Sequence, residues 1–545
     1  MKRWLTAVRL AGIAIGAVGL AFAYPPFDNT SNSWFALVPL LWIVRTSSPR
    51  VAARWAAGFG MVFWPIVLSW FPAIVPNGGP AALVIAGMLG LSIVCSLYMA
   101  AFAYCSALVW SRARGSARLA AVSVCDPLLW AFFEWIRGNL FSGFAWNFLG
   151  VAQVGNLPVI QFASVAGVYG VSMVLMLVNG ALTGLAMRMS ASFVRRLPGF
   201  APPVECSSGV RVKFGPPLES ALPLGLAVAA WVWGAGELRQ GEKADDAAKP
   251  LRAAIIQPNI PCVFMHHQDI SQLVSDRTVG QTRMAALAKP DLVLWPECAV
   301  LGSLPDGTFA KSVVASGVEA SGGAVLLTGA TEKSRVGDGG VLWFNSAFAF
   351  NASGETIGSY RKRHLVPFGE YIPLDKTITW LQRFAPTGES CTPGTDARPI
   401  KLPGERNAVL GALICFEDTV PWLSRDAVRA GANVLALMTN DAWFNGSCEA
   451  SQHQRQAVFR AVENRVPMIR SANSGVSCFV DAYGRVKKLE AEGRESDFHG
   501  FLLGEVVPGD GRLSFYTRYG DWPMIGCALM VLAVAASVEF KRRRA

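Results

Sequence analysis

Apolar runs separated by short polar loops fill the first 240 residues, and after them the pattern changes to short alternating stretches. Runs able to cross a bilayer as helices, about 20 residues each, lie at 5–24, 34–44 with its flanks, 55–75, 82–110, 119–136, 157–187, 221–238 and 523–540. Eight crossings are expected. Between 250 and 515 the periodicity shifts between strand and helix. Leu251 to Ile260 predicts a strand, Ile270 to Ala288 a helix, and Asp291 to Glu297 a second strand. Val325 to Thr331, Trp343 to Phe350, Val409 to Cys415, Val434 to Asn440 and Pro467 to Asp481 complete a β-rich set separated by helical patterns. A multi-pass helical bundle carrying an α/β layered domain is the expected fold.

Composition agrees with this division. Of the 545 residues, 52% are hydrophobic and 16% charged, with mean hydropathy +0.35, too apolar for a wholly water-borne chain. The net charge of +11 would suit nucleic acid if it formed one basic face. It is instead split among alternate loops, so no nucleic-acid partner is expected. Arg45, Arg50 and Arg54 follow the second run, Arg112, Arg114 and Arg118 the fourth, and Arg188, Arg195 and Arg196 the sixth, while 25–33 and 72–81 hold no Lys or Arg.

Basic loops stay on the cytoplasmic side, so both termini are expected inside, including the tail Lys541 to Arg544, and residues 240–520 outside the cytoplasm. The expected organisation is a membrane domain over 1–240, a periplasmic catalytic domain over 241–515 and a last helix with a basic tail over 516–545. The first run also fits a cleaved signal peptide ending near Ala21, Phe22 and Ala23. Six widely spaced cysteines in the outside block predict few or no disulfides.

Three ionisable residues stand just after apolar stretches, where an open α/β sheet places its site. Glu297 follows Leu292-Val293-Leu294-Trp295-Pro296, Lys362 follows Gly358-Ser359-Tyr360-Arg361, and Cys415 follows Leu410 to Ile414. Singly, these read as a solvated strand end, an exposed lysine and a small buried hydrophobe. Together they offer a base, a cation and a nucleophile. The histidines show no metal-ligand spacing, and no metal or cofactor is expected.

In these residues the chain resembles the nitrilase superfamily, whose members use Glu, Lys and Cys in that order. The likeness is carried by Trp295-Pro296-Glu297, by Tyr360 to Leu365 and by Ile414-Cys415-Phe416-Glu417. The run Leu365 to Pro373 and Asn440-Asp441-Ala442-Trp443-Phe444 are similar to the branch called apolipoprotein N-acyltransferase. That resemblance implies an αββα sandwich and transfer of an acyl chain from a phospholipid, typically phosphatidylethanolamine, to the amino-terminal diacylglyceryl cysteine of lipoproteins through a cysteine thioester. It implies a monomer in the bacterial inner membrane. It also implies supporting roles for Glu370, Phe416 and Glu417, and substrate contacts for Trp443, Phe444 and Glu463.

The chain departs from the family pattern at Gln257-Pro258-Asn259 and the following Cys262 to His267, and at Ala145 in the loop Gly143 to Asn147. Segment 375–390, with Trp380, Leu381 and Phe384, is expected to form an apolar arm over the site entrance. Two other readings stay open: a membrane-anchored amidase that releases its acyl group to water, and a transporter or scaffold with an inactive α/β domain. Asp126, Glu134 and Arg137 are the main charges within the apolar runs and bear on the second.

Overall fold

The computed structural model describes residues 2–113, 116–195, 218–245, 249–261, 269–337, 340–374, 377, 390–404, 406–530 and 533. The expectations for Cys262 to His267, for most of the 375–390 arm and for the basic tail fall outside these residues. Two compact units emerge, one formed by 1–72, 80–238 and 521–545, the other by 73–79 and 239–520.

The first unit is helical. Among the described residues four helices are long and apolar enough to cross a membrane: Ala81–Arg112, Arg118–Asn139, Ala163–Ser190 and Leu218–Gly241. A fifth is added if Pro49–Val67 and the short helix Phe71–Asn77 count as one bent span. The expected second crossing forms only the nine-residue helix Val38–Thr46, about 14 Å long at 1.5 Å per residue. Ser47, Ser48 and Pro49 end it, because the residue before a proline is driven out of the helical region. The charges noted within the apolar runs are spent on the unit's own structure. Arg45 lies 3.5 Å from Asp126, which also accepts from Ser106 and Trp110. Glu134 accepts the Leu149 N–H at 2.6 Å, and Arg137 donates to the carbonyls of Phe144 and Trp146 at 2.8 Å.

The second unit contains two sheets. One carries β1 (Leu251–Gln257), β2 (Leu292–Leu294), β3 (Val300–Leu304), β4 (Val325–Arg335), β5 (Val341–Phe350) and β6 (Thr356–Arg361). The other carries β7 (Ile400–Lys401), β8 (Val409–Ile414), β9 (Val434–Thr439), β10 (Met468–Ala472), β11 (Cys478–Val480) and β12 (Val486–Lys488), and β13 (Gly500–Val506) returns to the first. Their orders are β13-β1-β2-β4-β5-β6, with β3 beside β4, and β12-β11-β10-β9-β8-β7. In each, the middle strands run parallel, β1-β2-β4 and β8-β9-β10, as helical crossovers require.

Side-chain alternation builds the layers. Leu251, Ala253 and Ile255 of β1 pack with Leu410, Ala412 and Ile414 of β8 and with Val434, Ala436 and Met438 of β9 between the sheets. Ala254 and Ile256 face the other way, against helices that contribute Ile270, Ala285, Ala310 and Val314. Helices Pro421–Arg429 and Glu449–Asn464 pack on the second sheet. The unit is an αββα sandwich, and each buried Leu or Ile in its core contributes about 1.5–3 kcal/mol. The expected run Pro467 to Asp481 is two strands, β10 and β11, joined through Asn473 to Ser477. The nine cysteines among the described residues are free thiols.

Candidate active site

The parallel strands of both sheets end on the side from which the candidate residues project. Glu297 follows β2 by three residues, Cys415 follows β8 directly and Asn440 follows β9 directly. Lys362 follows β6, whose pairing with β5 places Ser346 opposite Arg361. The Lys362 N–H then donates to the Asn345 carbonyl at 2.8 Å. Gly329 of β4 lies where an added Cβ would sit 2.7 Å from the Glu297 Cα and 2.8 Å from the Cys298 N, so the strand end carrying Glu297 rests directly on that glycine.

The fold brings Glu297 and Lys362 together. The Lys362 Nζ is 3.5 Å from Glu297 Oε1 and 2.9 Å from Glu370 Oε2, with Lys362 1% exposed. Burial works against this ammonium, but Glu370, then Glu297 and Cys415, outweigh it and hold it well above the usual lysine range. Burial is also the main force on Glu297, lifting its carboxyl above the ordinary value against the pull of Lys362, with Glu370 adding to the rise. The Cys415 thiol is pushed well up by burial first and Glu297 second, while Lys362 draws it down. A protonated thiol, a carboxylate made more basic by its surroundings and a fixed cation follow from these balances.

Asn345, beside Ser346 in β5, was not singled out from the sequence. Its Nδ2 donates to Glu297 Oε1 at 2.7 Å and to Glu370 Oε1 at 2.8 Å, so one amide spans both carboxylates. The second Glu297 oxygen accepts the Asn440 backbone N–H at 3.0 Å. Glu370 is fixed in turn by the Val366 N–H at 2.9 Å.

Glu417 takes a different place from Glu370. Fully buried, it accepts from the Tyr360 hydroxyl, from the N–H groups of Arg363 and His364 and from the N–H of Ile414, all between 2.7 and 3.0 Å. It pins the chain just after Lys362 to the residue just before Cys415. Cys415 itself has φ +53°, a left-handed conformation uncommon for a non-glycine residue, and begins the tight turn Cys415–Thr419. Phe416 stacks on His364 at 6.0 Å between ring centres. Trp443 is exposed and Phe444 half-buried. Glu463 is buried, with its carboxylate bonded to Arg460 at 2.8 Å.

Beside this site lies a buried charged cluster that spacing alone did not reveal, because His453 is isolated in sequence. His453 stands between Asp418 and Asp441, and Arg470 bonds Asp441. Among the described residues, Asp441, Glu449 and His453 form the one group whose metal-ligating atoms all lie within 4.8 Å of each other. The positive charge those carboxylates require is already supplied by the His453 ring and Arg470.

Residues 16–181 match the family described as the apolipoprotein N-acyltransferase N-terminal domain, and 252–496 match the carbon-nitrogen hydrolase family. The chain is 33% identical to an apolipoprotein N-acyltransferase of Geobacter metallireducens, over 97% of this chain and 95% of that one. It is 30% identical to another of Azotobacter vinelandii, over 100% and 97%. Among solved structures it is similar to an amidase from a Nesterenkonia species, at 19% identity and a TM-score of 0.35, covering 49% of this chain and 92% of that one. Kinship along nearly the whole length, joined to a nitrilase-like α/β domain, makes this chain an acyltransferase belonging to the apolipoprotein N-acyltransferase family.

Proposed function

We propose that the enzyme moves an acyl chain from a phospholipid, of which phosphatidylethanolamine is the family's typical case, to the α-amine of the diacylglyceryl cysteine that begins an apolipoprotein. The observation that carries this reading is the joint burial of Glu297 and Lys362 at 3.5 Å on the strand ends shared with Cys415. The Cys415 thiol passes its proton to Glu297 and the sulfur attacks the ester carbonyl. Lys362 stabilises the oxyanion of the tetrahedral intermediate. The carbonyl re-forms as the glycerol oxygen leaves with the proton from Glu297, and Cys415 keeps the acyl group as a thioester. The lipoprotein amine then attacks, gives a proton to Glu297 and expels the sulfur, which is reprotonated. Two half-reactions through one acyl-enzyme give ping-pong kinetics.

The setting belongs to the same reading. Donor and acceptor are both lipids, and the apolar helices suit a chain anchored in the bacterial inner membrane by about eight crossings. Residues 1–240 would form the membrane domain, 241–515 the periplasmic catalytic domain and 516–545 a final helix, with both termini cytoplasmic and the enzyme a monomer. Glu370 and Glu417 act as supports, Phe416 lies beside the nucleophile, and Trp443, Phe444 and Glu463 are the candidates for substrate contact.

The test is mass spectrometry of the full-length enzyme in detergent after exposure to labelled phospholipid, followed by a diacylglyceryl peptide. An acyl adduct on Cys415, absent in Cys415→Ser and discharged to the peptide amine, is the expected result. Label appearing only as free fatty acid would favour the amidase reading. No adduct on the wild type would overturn the mechanism.

A further inference from the structure

The helix Glu449–Asn464 presents Glu449 and His453, four residues apart and so on one face, to two turns that bear on the chemistry. His453 is 1% exposed. Its Nε2 lies 2.8 Å from Asp418 Oδ1, and its Nδ1 lies 3.0 Å from Asp441 Oδ1. Asp418 belongs to the turn that starts at Cys415. Asp441 follows Asn440, whose N–H holds Glu297. One ring therefore joins the nucleophile's turn to the turn that holds the base.

A carboxylate offers only acceptors, so a ring with a carboxylate on each nitrogen must donate from both, and an imidazole that donates twice is the cation. The surrounding charges agree. Arg470 on β10 donates to Asp441 Oδ2 at 3.0 Å and lies 3.8 Å from Asp418 Oδ2, and Thr439 on β9 donates to Asp441 at 2.8 Å. Glu449, 3.8 Å from the ring on the same helix, also faces it. Burial first, and Asp441 second, keep the Glu449 carboxyl protonated well above the ordinary range. Two carboxylates, one guanidinium and one imidazolium then sum to zero in a site that water does not reach.

We propose that His453 is a positioning residue for acyl transfer, a standing imidazolium that clamps the Cys415 turn to the Asn440 turn and cancels the negative charge of Asp441 behind the thiol and its base. Both Cys415 and Glu297 feel Asp441, which disfavours their ionised forms. With a neutral side chain at 453 the cluster carries one uncompensated negative charge, and thiolate formation becomes harder. The inference rests on the roles proposed above for Cys415 and Glu297.

The first experiment is the pH dependence of acyl-enzyme formation in His453→Gln. The midpoint is expected to move to higher pH, with the rate roughly tenfold lower at a fixed pH below it and the KM for phospholipid unchanged. Adding Asp441→Asn to that variant removes the excess negative charge, and the midpoint should return toward the wild-type value. A midpoint that stays put in His453→Gln, or a double variant shifted further, overturns the proposal. The second experiment is nitrogen NMR of the histidine-labelled wild-type enzyme, which is expected to show both His453 nitrogens protonated through neutral pH. One bare nitrogen there overturns the proposal even if His453→Gln does not fold. Failure of the function itself reads differently, as no adduct on wild-type Cys415 at any pH.

Discussion

Lys362 is a buried cation with two carboxylates within 3.5 Å, and its neighbours differ in what they do. Glu370 makes the shorter contact and shares Asn345 with Glu297, which on the proposed reading makes it the support of Lys362 and leaves the role of base to Glu297. Glu370→Ala is expected to leave Lys362 under-compensated, destabilising the enzyme by about 3 kcal/mol and lowering kcat on the order of a hundredfold. Thermal melting and steady-state kinetics on the purified enzyme check both, and a variant that melts and turns over like the wild type would remove Glu370 from the site. As candidates, Glu297 and Cys415 were legible because each follows an apolar strand, and Lys362, after the half-polar strand Thr356–Arg361, by its motif with Tyr360 and Arg361. Asn345 and His453 were not. Nothing in their immediate neighbours marks an amide or imidazole whose partners arrive from 25 and 35 residues away.

At the scale of elements the reading depends on backbone fit. Gly329 is buried under the strand end that carries Glu297, and its contacts are backbone atoms, which cannot turn aside as a flexible side chain can. Gly329→Ala is expected to cost about 1–3 kcal/mol and, on the proposed reading, to slow acyl-enzyme formation more than it raises KM, since it displaces Glu297 and not a lipid-holding surface. Denaturation midpoints together with single-turnover acylation rates check this, and an unchanged acylation rate would count against the close fit. The central strands were readable from their continuous Val, Leu and Ile, the pattern of strands covered on both faces. The edge strands β3, β7 and β12 were not, because they are short or half polar, and β13 is too far from β1 in sequence for any local signal to join them.

For the whole molecule, the division between helical and α/β units was visible in where charged residues begin, while the number of spans was less so. Hydropathy measures apolar length, but proline and serine at 47–49 cut one run short regardless of its composition. The helix Ala81–Arg112 has the opposite property. Its 32 residues extend about 48 Å at 1.5 Å per residue, against a hydrocarbon core of about 30 Å. Only 22% of its most apolar window is buried, with Leu83, Leu97 and Ile93 at least half exposed. On the proposed membrane reading this helix is mismatched to its solvent, and must tilt or thicken the lipid around it. Reconstitution into phospholipids of increasing chain length is therefore expected to raise the melting temperature up to an optimum on the thick side of ordinary bilayers. A melting temperature indifferent to chain length would argue against that span. On that reading bilayer thickness becomes a setting of this enzyme's stability, supplied by the very molecules proposed as its acyl donors.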